Sequence, residues 1–432
     1  MFSRVRVKLR GGLVLTGLVM PRPHFGDSRA LVLKLDNGYN VGFSVERIED
    51  IALEEARSVQ GGAEGPAPPS QKSGLPTVFF VGTGGTIASR VDYVTGAVYP
   101  YFTAEELYSM IPELEEIAVV KTETLFNIFS EDMTPRHWSL LAQRIGGIFE
   151  KEAPAGVVVA HGTDTMHYTA SAIAFAARKL PGPVVFTGAQ RSSDRPSSDA
   201  ALNVVGASIT AASAPFAESV IAMHGGMGDE VVLVHRGVRA RKMHTSRRDA
   251  FMSVNSLPLA RVDLTARRLE VLQREYKPRV DEVEVHPKFC EKVALVKFYP
   301  GMEPELFDYF QEQGYRGIVI EGTGLGHVRS LLVDRIARIV KDGVLVVMTS
   351  QCLWGRINMN VYRTGVELLK AGVVPAEDML PEAAFAKLSW VLGQTDDAEE
   401  ARKLFSENLA YEMSSRTEFS SYPGADWWSR CR

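Results

Sequence analysis

The chain has 432 residues, of which 45% are hydrophobic and 23% charged, the composition of an ordinary globular protein with several domains. Its formal net charge of −4 argues against a broad nucleic-acid-binding surface, because such surfaces neutralise phosphates with dense positive charge. The three cysteines form no CxxC pair, and the sequence contains neither a signal peptide nor an apolar run of membrane-spanning length. These features predict a cytoplasmic protein without a disulfide framework.

The first 58 residues are predicted to form a small β-barrel. The runs RVRVKL and LVLKL have the period of half-buried strands, and charged and apolar residues alternate throughout the first of them. The tight-turn sequence Asp36-Asn37-Gly38 directly follows the second run. Residues 59–75 are rich in Gly, Pro and Ser and are predicted to be a linker.

Residues 76–270 are predicted to form an α/β domain with a parallel sheet. Continuous apolar strands that alternate with helices are typical of a parallel sheet covered on both faces. The predicted strands are TVFFVGT, GVVVAHGT, PVVFTGA and SVIAMHGG, and the clearest predicted helix is TASAIAFAARKL. Sheets of this kind place their sites at the carboxyl ends of the strands, where Gly and Thr follow the apolar runs here.

Residues 291–432 are predicted to form a second α/β domain, which residues 271–290 connect to the first. The predicted strands are KVALVKFYPG, RGIVIEGTG and GVLVVMTSQ. Helices are predicted over SLLVDRIARIVKDG and over DAEEARKLFSENLAYEMSS near the C-terminus. The whole chain is therefore predicted to consist of a small all-β unit followed by two α/β domains.

The first candidate for chemistry is Thr86, at the end of the glycine-rich turn GTGGT. Glycines there allow the backbone N–H groups to approach a ligand closely. A phosphate-binding turn fits poorly because the GK[ST] signature is absent, whereas a purely structural turn stays open. If Thr86 is instead a nucleophile, its weakly nucleophilic hydroxyl needs a base or a cation nearby.

The second candidate segment is HGTDTM, which lies between a predicted strand and a predicted helix. Asp164 is either a helix cap or a carboxylate that binds a substrate ammonium group, and Thr163 is a candidate partner for a base. His161 and His167 are six residues apart, the wrong spacing for a pair of metal ligands on a helix. They are expected to serve packing or surface contacts, and no metal site is predicted.

The third candidate is Lys242, in the basic segment RGVRARKMH. A run of charges is usually a solvated surface, and most of this segment is expected to be one. Lys242 is the candidate exception, because a lysine among other cations in a desolvated site loses its proton more readily and can act as a base.

Taken together, the segments GTGGTIAS, NIFSEDM, HGTDTM and ARKMHT resemble the bacterial-type L-asparaginase and glutaminase family. The resemblance implies two α/β domains, amide hydrolysis and no metal or cofactor. It assigns the catalytic roles to Thr86 as nucleophile and to Thr163, Asp164 and Lys242. It assigns substrate binding to Ser130, Glu131 and a mobile-lid tyrosine, which is either Tyr93 or its rival Tyr99.

One position departs from that family's pattern. Secreted asparaginases carry a polar residue in the loop after a strand of the second domain, and this residue reaches the site of a neighbouring subunit. The corresponding loop here reads EGTGLGH, with Leu325 near that place. Recognition of the amino acid is therefore expected to differ from theirs.

Segments near both ends of the chain resemble one particular group within this family. The runs VMPRPHFGD and LVLKLDNGYNVG and the tail EMSSRTEF are similar to the D subunits of archaeal glutamyl-tRNA(Gln) amidotransferases. That family implies a glutaminase that takes ammonia from L-glutamine. It also implies a homodimer within a heterotetramer, and a partner E subunit that binds ATP and Mg²⁺ and amidates Glu-tRNA(Gln).

Two alternatives remain at this stage. One is a cytoplasmic L-asparaginase that acts on its own, against which the N-terminal unit argues. The other is a non-catalytic scaffold, against which the complete set of candidate catalytic residues argues. Gating by the partner is expected through the segment after Thr86, with Arg239, Arg241, Arg247 and Arg248 as candidates for transmitting the contact.

Overall fold

The computed structural model describes residues 4–19, 29–35, 40–55, 74–85, 89–91, 98–100, 107–108, 111–191, 198–417 and 422. Thr86, Tyr93 and the predicted turn Asp36-Asn37-Gly38 lie outside the described residues, as does most of the predicted linker. Tyr99 is described only as part of a short strand, without its side chain. Among the described residues, no helix has the length and apolarity required to span a membrane.

The N-terminal unit is an open antiparallel sheet. Its strands are β1 (Arg4–Leu9), β2 (Val14–Val19), β3 (Ala30–Leu35), β4 (Asn40–Ser44) and β5 (Ile48–Glu55). Val5, Val7 and Leu9 are buried and the residues between them are exposed, which is the predicted alternation. The order β4-β3-β2-β1-β5 leaves β4 and β5 at opposite edges. Because these two strands do not pair among the described residues, the predicted barrel is not confirmed.

The next part of the chain contains fourteen described strands and three helices whose full bounds are described. The helices are α1 (Pro135–Glu152), α2 (Met166–Ala176) and α3 (Ala200–Ser213). The strands are β6 (Thr77–Gly82), β7 (Ser89–Val91), β8 (Val98–Pro100), β9 (Val119–Thr124), β10 (Gly156–Ala160), β11 (Ala177–Lys179), β12 (Val184–Thr187), β13 (Ser219–His224), β14 (Val231–Arg236), β15 (Ala240–Lys242), β16 (Phe251–Ser253), β17 (Ala260–Asp263), β18 (Arg268–Val271) and β19 (Glu284–Val285).

Eight of these strands form one mixed sheet, in the order β18-β17-β14-β13-β12-β10-β6-β9. The four predicted strands β6, β10, β12 and β13 are parallel, as is β9. The expectation of a wholly parallel sheet was wrong, because β14, β17 and β18 continue it in antiparallel fashion. The connection from β13 to β14 is too short for the crossover that a parallel pair requires.

The last part of the chain forms a four-stranded parallel sheet with helices. Its strands are β20 (Val293–Lys297), β21 (Gly317–Gly322), β22 (Leu345–Ser350) and β23 (Val374–Pro375), in that order. Its helices are α4 (Glu305–Glu312), α5 (Val333–Lys341), α6 (Arg363–Lys370), α7 (Pro381–Gln394) and α8 (Ala398–Ser406). The first three strands are those that the sequence predicts.

Two predicted helices end earlier than expected. The helix over TASAIAFAARKL stops at Ala176, and the next three residues form β11, which pairs with β19. The C-terminal helix stops at Ser406. Beyond it, the buried Glu412 carboxylate accepts hydrogen bonds from the backbone N–H groups of Leu409 and Ala410, which replace helical bonds.

The two α/β parts share a hydrophobic core. Helices α2 and α7 pack against each other, and the rings of Phe175 and Trp390 stack with 6.5 Å between their centroids. Trp138 of α1 and Leu388 of α7 belong to the same cluster of buried side chains. The carboxyl ends of the parallel strands are thus held in fixed positions from both sides.

Candidate active site

A cavity of about 250 Å³ lies at the carboxyl ends of β6, β10 and β12. Each of the three strands contributes the residues of the loop that follows it. The polar residues that line the cavity include Ser130, Glu131, Thr163, Asp164, Gln190 and Lys242. Its size suits a small metabolite rather than a large ligand.

The centre of the cavity is a contact between Lys242 and the turn after β10. The ammonium Nζ of Lys242 lies 2.9 Å from the hydroxyl Oγ1 of Thr163 and 2.7 Å from the carboxylate Oδ1 of Asp164. The Lys242 side chain is 10% exposed, whereas that of Asp164 is 71% exposed. Lys242 is therefore largely removed from water, and Asp164 faces the open side of the cavity.

Asp164 does not act as a helix cap here. The N-cap of α2 is Thr165, and no side-chain hydrogen bond caps that helix. The carboxylate of Asp164 is directed to Lys242 instead. Thr165 also supports the site, because its hydroxyl donates a hydrogen bond of 2.5 Å to the carbonyl oxygen of Ser130.

Glycines bring the segments GTGGT, HGTDTM and NIFSEDM close together. Gly85 has a φ of +86°, and a Cβ added to it would lie 2.6 Å from the backbone nitrogen of Gly162. A Cβ on Gly162 would in turn lie 2.8 Å from the Cβ of Ser130. Any larger side chain would push these segments apart. The residue before Thr86 thus touches the turn that carries Thr163 and Asp164, while Thr86 itself lies outside the described residues.

Ser130 and Glu131 lie side by side in a short 3₁₀ turn at residues 130–132. Ser130 is 4% exposed, and its hydroxyl donates a weak hydrogen bond of 3.5 Å to the carboxylate of Glu131. Both residues line the cavity. Their carboxylate and hydroxyl can accept hydrogen bonds from a cationic ligand.

His161 and His167 are buried beside the cavity. Burial lowers the pKa of His161 to about 4 and, with the nearby charges of Arg241 and Lys242, lowers that of His167 to about 3. Both imidazoles are therefore neutral near pH 7, and they fit the expectation of packing residues. Among the described residues, no group of three or more His, Cys, Asp or Glu side chains is arranged to hold a metal ion.

Arg241, next to Lys242, is anchored by the second α/β part. Its Nη1 lies 3.1 Å from the Oε1 of Glu382, a residue in the first turn of α7. The Nε2 of His167 lies 3.9 Å from the same oxygen. Burial raises the pKa of Glu382, although Arg241 opposes that shift. A change in the second part of the chain can therefore reach the strand that carries Lys242.

Arg239 is buried rather than available for a partner. Its guanidinium lies 3.0 Å from the carboxylate Oδ2 of Asp378, and it also donates to the carbonyl oxygen of Tyr411 and the hydroxyl of Ser414. The side chain is only 2% exposed. Arg239 thus joins the segment before Lys242 to the second α/β part and to the chain after α8. The expectation that Arg239 transmits a partner's contact stays a prediction, and its burial limits that role to the residues it binds inside the chain.

The sequence reasoning did not single out Asp199, which holds the backbone of Gln190 and Arg191 after β12. Asp199 is fully buried, and its carboxylate accepts hydrogen bonds of 2.9–3.1 Å from the backbone N–H groups of Gln190 and Arg191. The amide of Asn203 donates to Asp199 and to the carbonyl oxygen of Gly188, both at 2.9 Å. The only signal in the sequence is an Asp–Asn pair four residues apart at the start of a helix, which is also typical of an ordinary cap.

The remaining candidates are less central. Leu325 is half-buried in the loop after β21, and its carbonyl oxygen accepts a hydrogen bond from the backbone N–H of Asn358. Arg247 pairs with Asp249, and Arg248 pairs with Asp229 and contacts His224. Neither Arg247 nor Arg248 lines the cavity.

Three family models match consecutive parts of the chain. "GatD N-terminal domain" matches residues 1–53, "Asparaginase, N-terminal" matches residues 77–276, and "Glutaminase/Asparaginase C-terminal domain" matches residues 292–405. Two relatives, both named as D subunits of glutamyl-tRNA(Gln) amidotransferase, are similar along almost their whole lengths. The protein from Thermofilum pendens is 64% identical, over 99% of this chain and 96% of its own length. The protein from Pyrococcus abyssi is 53% identical, over 94% and 92% respectively.

Two solved structures share the fold of the α/β parts. The thermostable L-asparaginase from Thermococcus kodakarensis superposes with a TM-score of 0.71 at 30% identity, covering 79% of this chain and 100% of its own. L-asparaginase I from Vibrio cholerae gives a TM-score of 0.68 at 30% identity, covering 79% and 99%. The chain thus has the asparaginase fold over 79% of its length.

Proposed function

Because the chain belongs to the family of glutamyl-tRNA(Gln) amidotransferase D subunits, we propose that it releases ammonia from L-glutamine for the amidation of Glu-tRNA(Gln). The observation that carries the proposal is the contact of Lys242 with Thr163 and Asp164 inside a cavity of about 250 Å³. A hydroxyl, a carboxylate and a desolvated amine in contact are the groups that amide hydrolysis through a threonine needs.

In this proposal Thr86 is the nucleophile. Its oxygen attacks the side-chain carboxamide carbon of glutamine. The amide nitrogen takes up a proton and leaves as ammonia, and an ester forms on Thr86. Water then hydrolyses the ester and releases glutamate. A backbone N–H donor from the glycine-rich turn beside Thr86 stabilises the oxyanion of each step.

Thr163 and Lys242 transfer the proton. Nζ donates to Thr163 Oγ1 when the amine is charged, and the same 2.9 Å contact runs in the opposite direction once the amine has lost a proton. A neutral Lys242 accepts the Thr163 proton, so that Thr163 can accept the proton of the nucleophile. The charged Lys242 then returns this proton through Thr163 to the amide nitrogen, which leaves as ammonia.

Substrate binding falls to the residues at the open side of the cavity. The exposed carboxylate of Asp164 and that of Glu131 bind the α-ammonium group of the amino acid, and Ser130 provides a further polar contact. Tyr93 closes over the site as the lid residue, with Tyr99 as the alternative. No metal or cofactor enters this reaction scheme.

The rest of the reaction belongs to a partner. We place ATP, Mg²⁺ and most of the tRNA contact on the E subunit, with two copies of each subunit in a heterotetramer. The N-terminal sheet serves assembly or coupling to the tRNA rather than the chemistry. Because charged tRNA is a cytoplasmic substrate, the complex works in the cytoplasm.

A cytoplasmic L-asparaginase acting on its own is the second candidate. The match of residues 1–53 to "GatD N-terminal domain" speaks against it, as does the similarity of the whole chain to D subunits. The asparaginases of similar structure cover 79% of this chain.

The testing experiment measures ammonia release from L-glutamine and from L-asparagine. Each substrate is given to the chain alone, to the chain with E subunit, and to the chain with E subunit and Glu-tRNA(Gln). Glutamine hydrolysis is expected to be slow alone and much faster in the full complex, because the partner favours the closed lid. Equal rates in all three conditions, or faster hydrolysis of asparagine by the isolated chain, would favour the L-asparaginase instead.

A further inference from the structure

The backbone N–H of Gln190, a residue without a role in the proposed reaction, is held by a buried carboxylate. Its N–H lies 3.1 Å and 3.0 Å from the two oxygens of the Asp199 carboxylate. Asp199 is fully buried and is itself held by the amide of Asn203 at 2.9 Å. The backbone of Gln190 is therefore held in a fixed position, as that of a residue that binds a ligand should be.

The side chain of Gln190 has an unused donor. Its Nε2 is buried and has no hydrogen-bond partner among the described residues. Buried polar atoms in folded proteins are almost always paired, so an unpaired one requires a reason. Gln190 lines the same cavity as Thr163 and Lys242, and a ligand in that cavity is the available partner.

The packing around Gln190 indicates which end of the substrate lies next to its side chain. A Cβ added to Gly188, two residues before Gln190, would lie 2.8 Å from the Cγ2 of Thr163. The loop after β12 thus touches the reacting end of the cavity, whereas the exposed carboxylate of Asp164 marks its open end. With the amino-acid end of the substrate at the open end, as in the proposed function, its carboxamide lies on the side of the cavity that Gln190 lines.

We infer that Gln190 is a specificity-determining residue whose Nε2–H donates a hydrogen bond to the carbonyl oxygen of the substrate's side-chain carboxamide. The inference rests on the proposed glutamine hydrolysis and adds a residue to it. The primary amide of Gln190 offers a donor and an acceptor, which match the carbonyl and the NH₂ of the substrate. The glutamate product has no NH₂ to offer, so the same residue discriminates substrate from product.

Two variants of the full-length chain, assayed in the complex with E subunit and Glu-tRNA(Gln), test this inference. Gln190→Met keeps the shape and removes both hydrogen-bonding atoms, and Gln190→Glu replaces the donor by an acceptor. Gln143→Met, on the exposed face of α1, is the matched control. Gln190→Met is expected to raise KM for glutamine about tenfold, the effect of a lost hydrogen bond to a buried partner. Its melting temperature stays equal or rises, because an unpaired buried amide is removed.

Gln190→Glu adds a second measurement, the pH dependence of kcat/KM, which would not change if Gln190 had a purely structural role. Its kcat/KM is lowest relative to the unmodified protein at pH 8, where the carboxylate only accepts hydrogen bonds. The ratio recovers as the pH falls towards 5, because a protonated carboxyl can donate again. The Gln143→Met control keeps the KM of the unmodified protein.

The outcomes separate the inference from the proposed function. If the unmodified complex hydrolyses glutamine and Gln190→Met has a KM within twofold of it, the inference is wrong and the proposed function stands. If the unmodified complex releases no ammonia from glutamine, both are wrong. A lowered melting temperature with an unchanged KM would make Gln190 a structural residue only.

Discussion

Replacing Lys242 with methionine should remove most of the activity and leave the fold intact. Methionine has nearly the same shape but cannot bind a proton. The substitution breaks the 2.9 Å contact with Thr163 and the 2.7 Å contact with Asp164. Since Asp164 is 71% exposed, the ion pair contributes no more than about 1 kcal/mol to stability. The kcat is expected to fall roughly 10²–10⁴-fold, or about 3–5 kcal/mol in the activation barrier.

A second substitution distinguishes proton transfer from the effect of charge alone. Lys242→Arg keeps the positive charge and a donor to Thr163, but a guanidinium does not lose its proton at neutral pH. If Lys242 acts as a base, the arginine variant should be nearly as inactive as the methionine variant. Thr163→Val combined with Lys242→Met should cost little more than either change alone, because the two residues act as a unit.

The assay is steady-state ammonia release from glutamine by the complex, measured between pH 5 and pH 10. The matched control is Lys121→Met, which breaks an ion pair of 2.7 Å with Glu152 on the surface and should not alter kcat. Circular dichroism checks that each variant is folded. The reasoning would be refuted if Lys242→Arg kept a third or more of the unmodified kcat, or if Lys242→Met left kcat and the pH–rate profile unchanged.

Three further predictions concern Thr86, Arg239 and His235. Thr86→Ala should keep the melting temperature and abolish glutaminase activity, and a variant that retains a tenth of the unmodified kcat would contradict the nucleophile assignment. Arg239→Met should lower the free energy of unfolding in urea by about 1–3 kcal/mol, since the buried Asp378 carboxylate loses its 3.0 Å partner and keeps only the Ser414 N–H and a 4.0 Å contact with Arg356. Adding Asp378→Asn should restore part of this loss. Burial lowers the pKa of His235 to about 4 while the unfolded residue titrates near 6.5, so protons bind the unfolded chain preferentially between these values. The free energy of unfolding should therefore fall as the pH drops through this window, and His235 contributes up to about 1.4 kcal/mol per pH unit. His235→Gln should reduce the difference in unfolding free energy between pH 7 and pH 5, measured by urea titration at each pH.

Local patterns determined much of the secondary structure. The apolar runs around Val81, Val159 and Phe186 are buried on both faces, and such runs with Gly and Thr at their ends are typical of strands in a covered sheet. The alternation at Val5, Val7 and Leu9 likewise identified β1. Both patterns indicate which residues are buried, and both can be recognised within a single segment of the sequence.

Contacts between distant segments decided where some elements end. The helix over TASAIAFAARKL ends at Ala176 because β11 finds a partner in β19, more than a hundred residues later. The helix predicted up to the C-terminal tail ends at Ser406 because Glu412 supplies the backbone with other hydrogen-bond partners. The local sequence pattern contains no sign of either β19 or Glu412 as a partner. Helix propensity alone therefore placed the ends of both helices too late in the sequence.

The candidate site divides in the same way. The residue types and the order of GTGGT, HGTDTM and RKMH suffice to nominate Thr163, Asp164 and Lys242, since each motif follows a strand or lies in a basic run. Only the tertiary structure sets the 2.9 Å between Lys242 and Thr163, the burial of Arg239 and the unpaired amide of Gln190. A sequence determines which groups a segment carries, whereas their distances and their access to water depend on segments that meet only when the chain is folded.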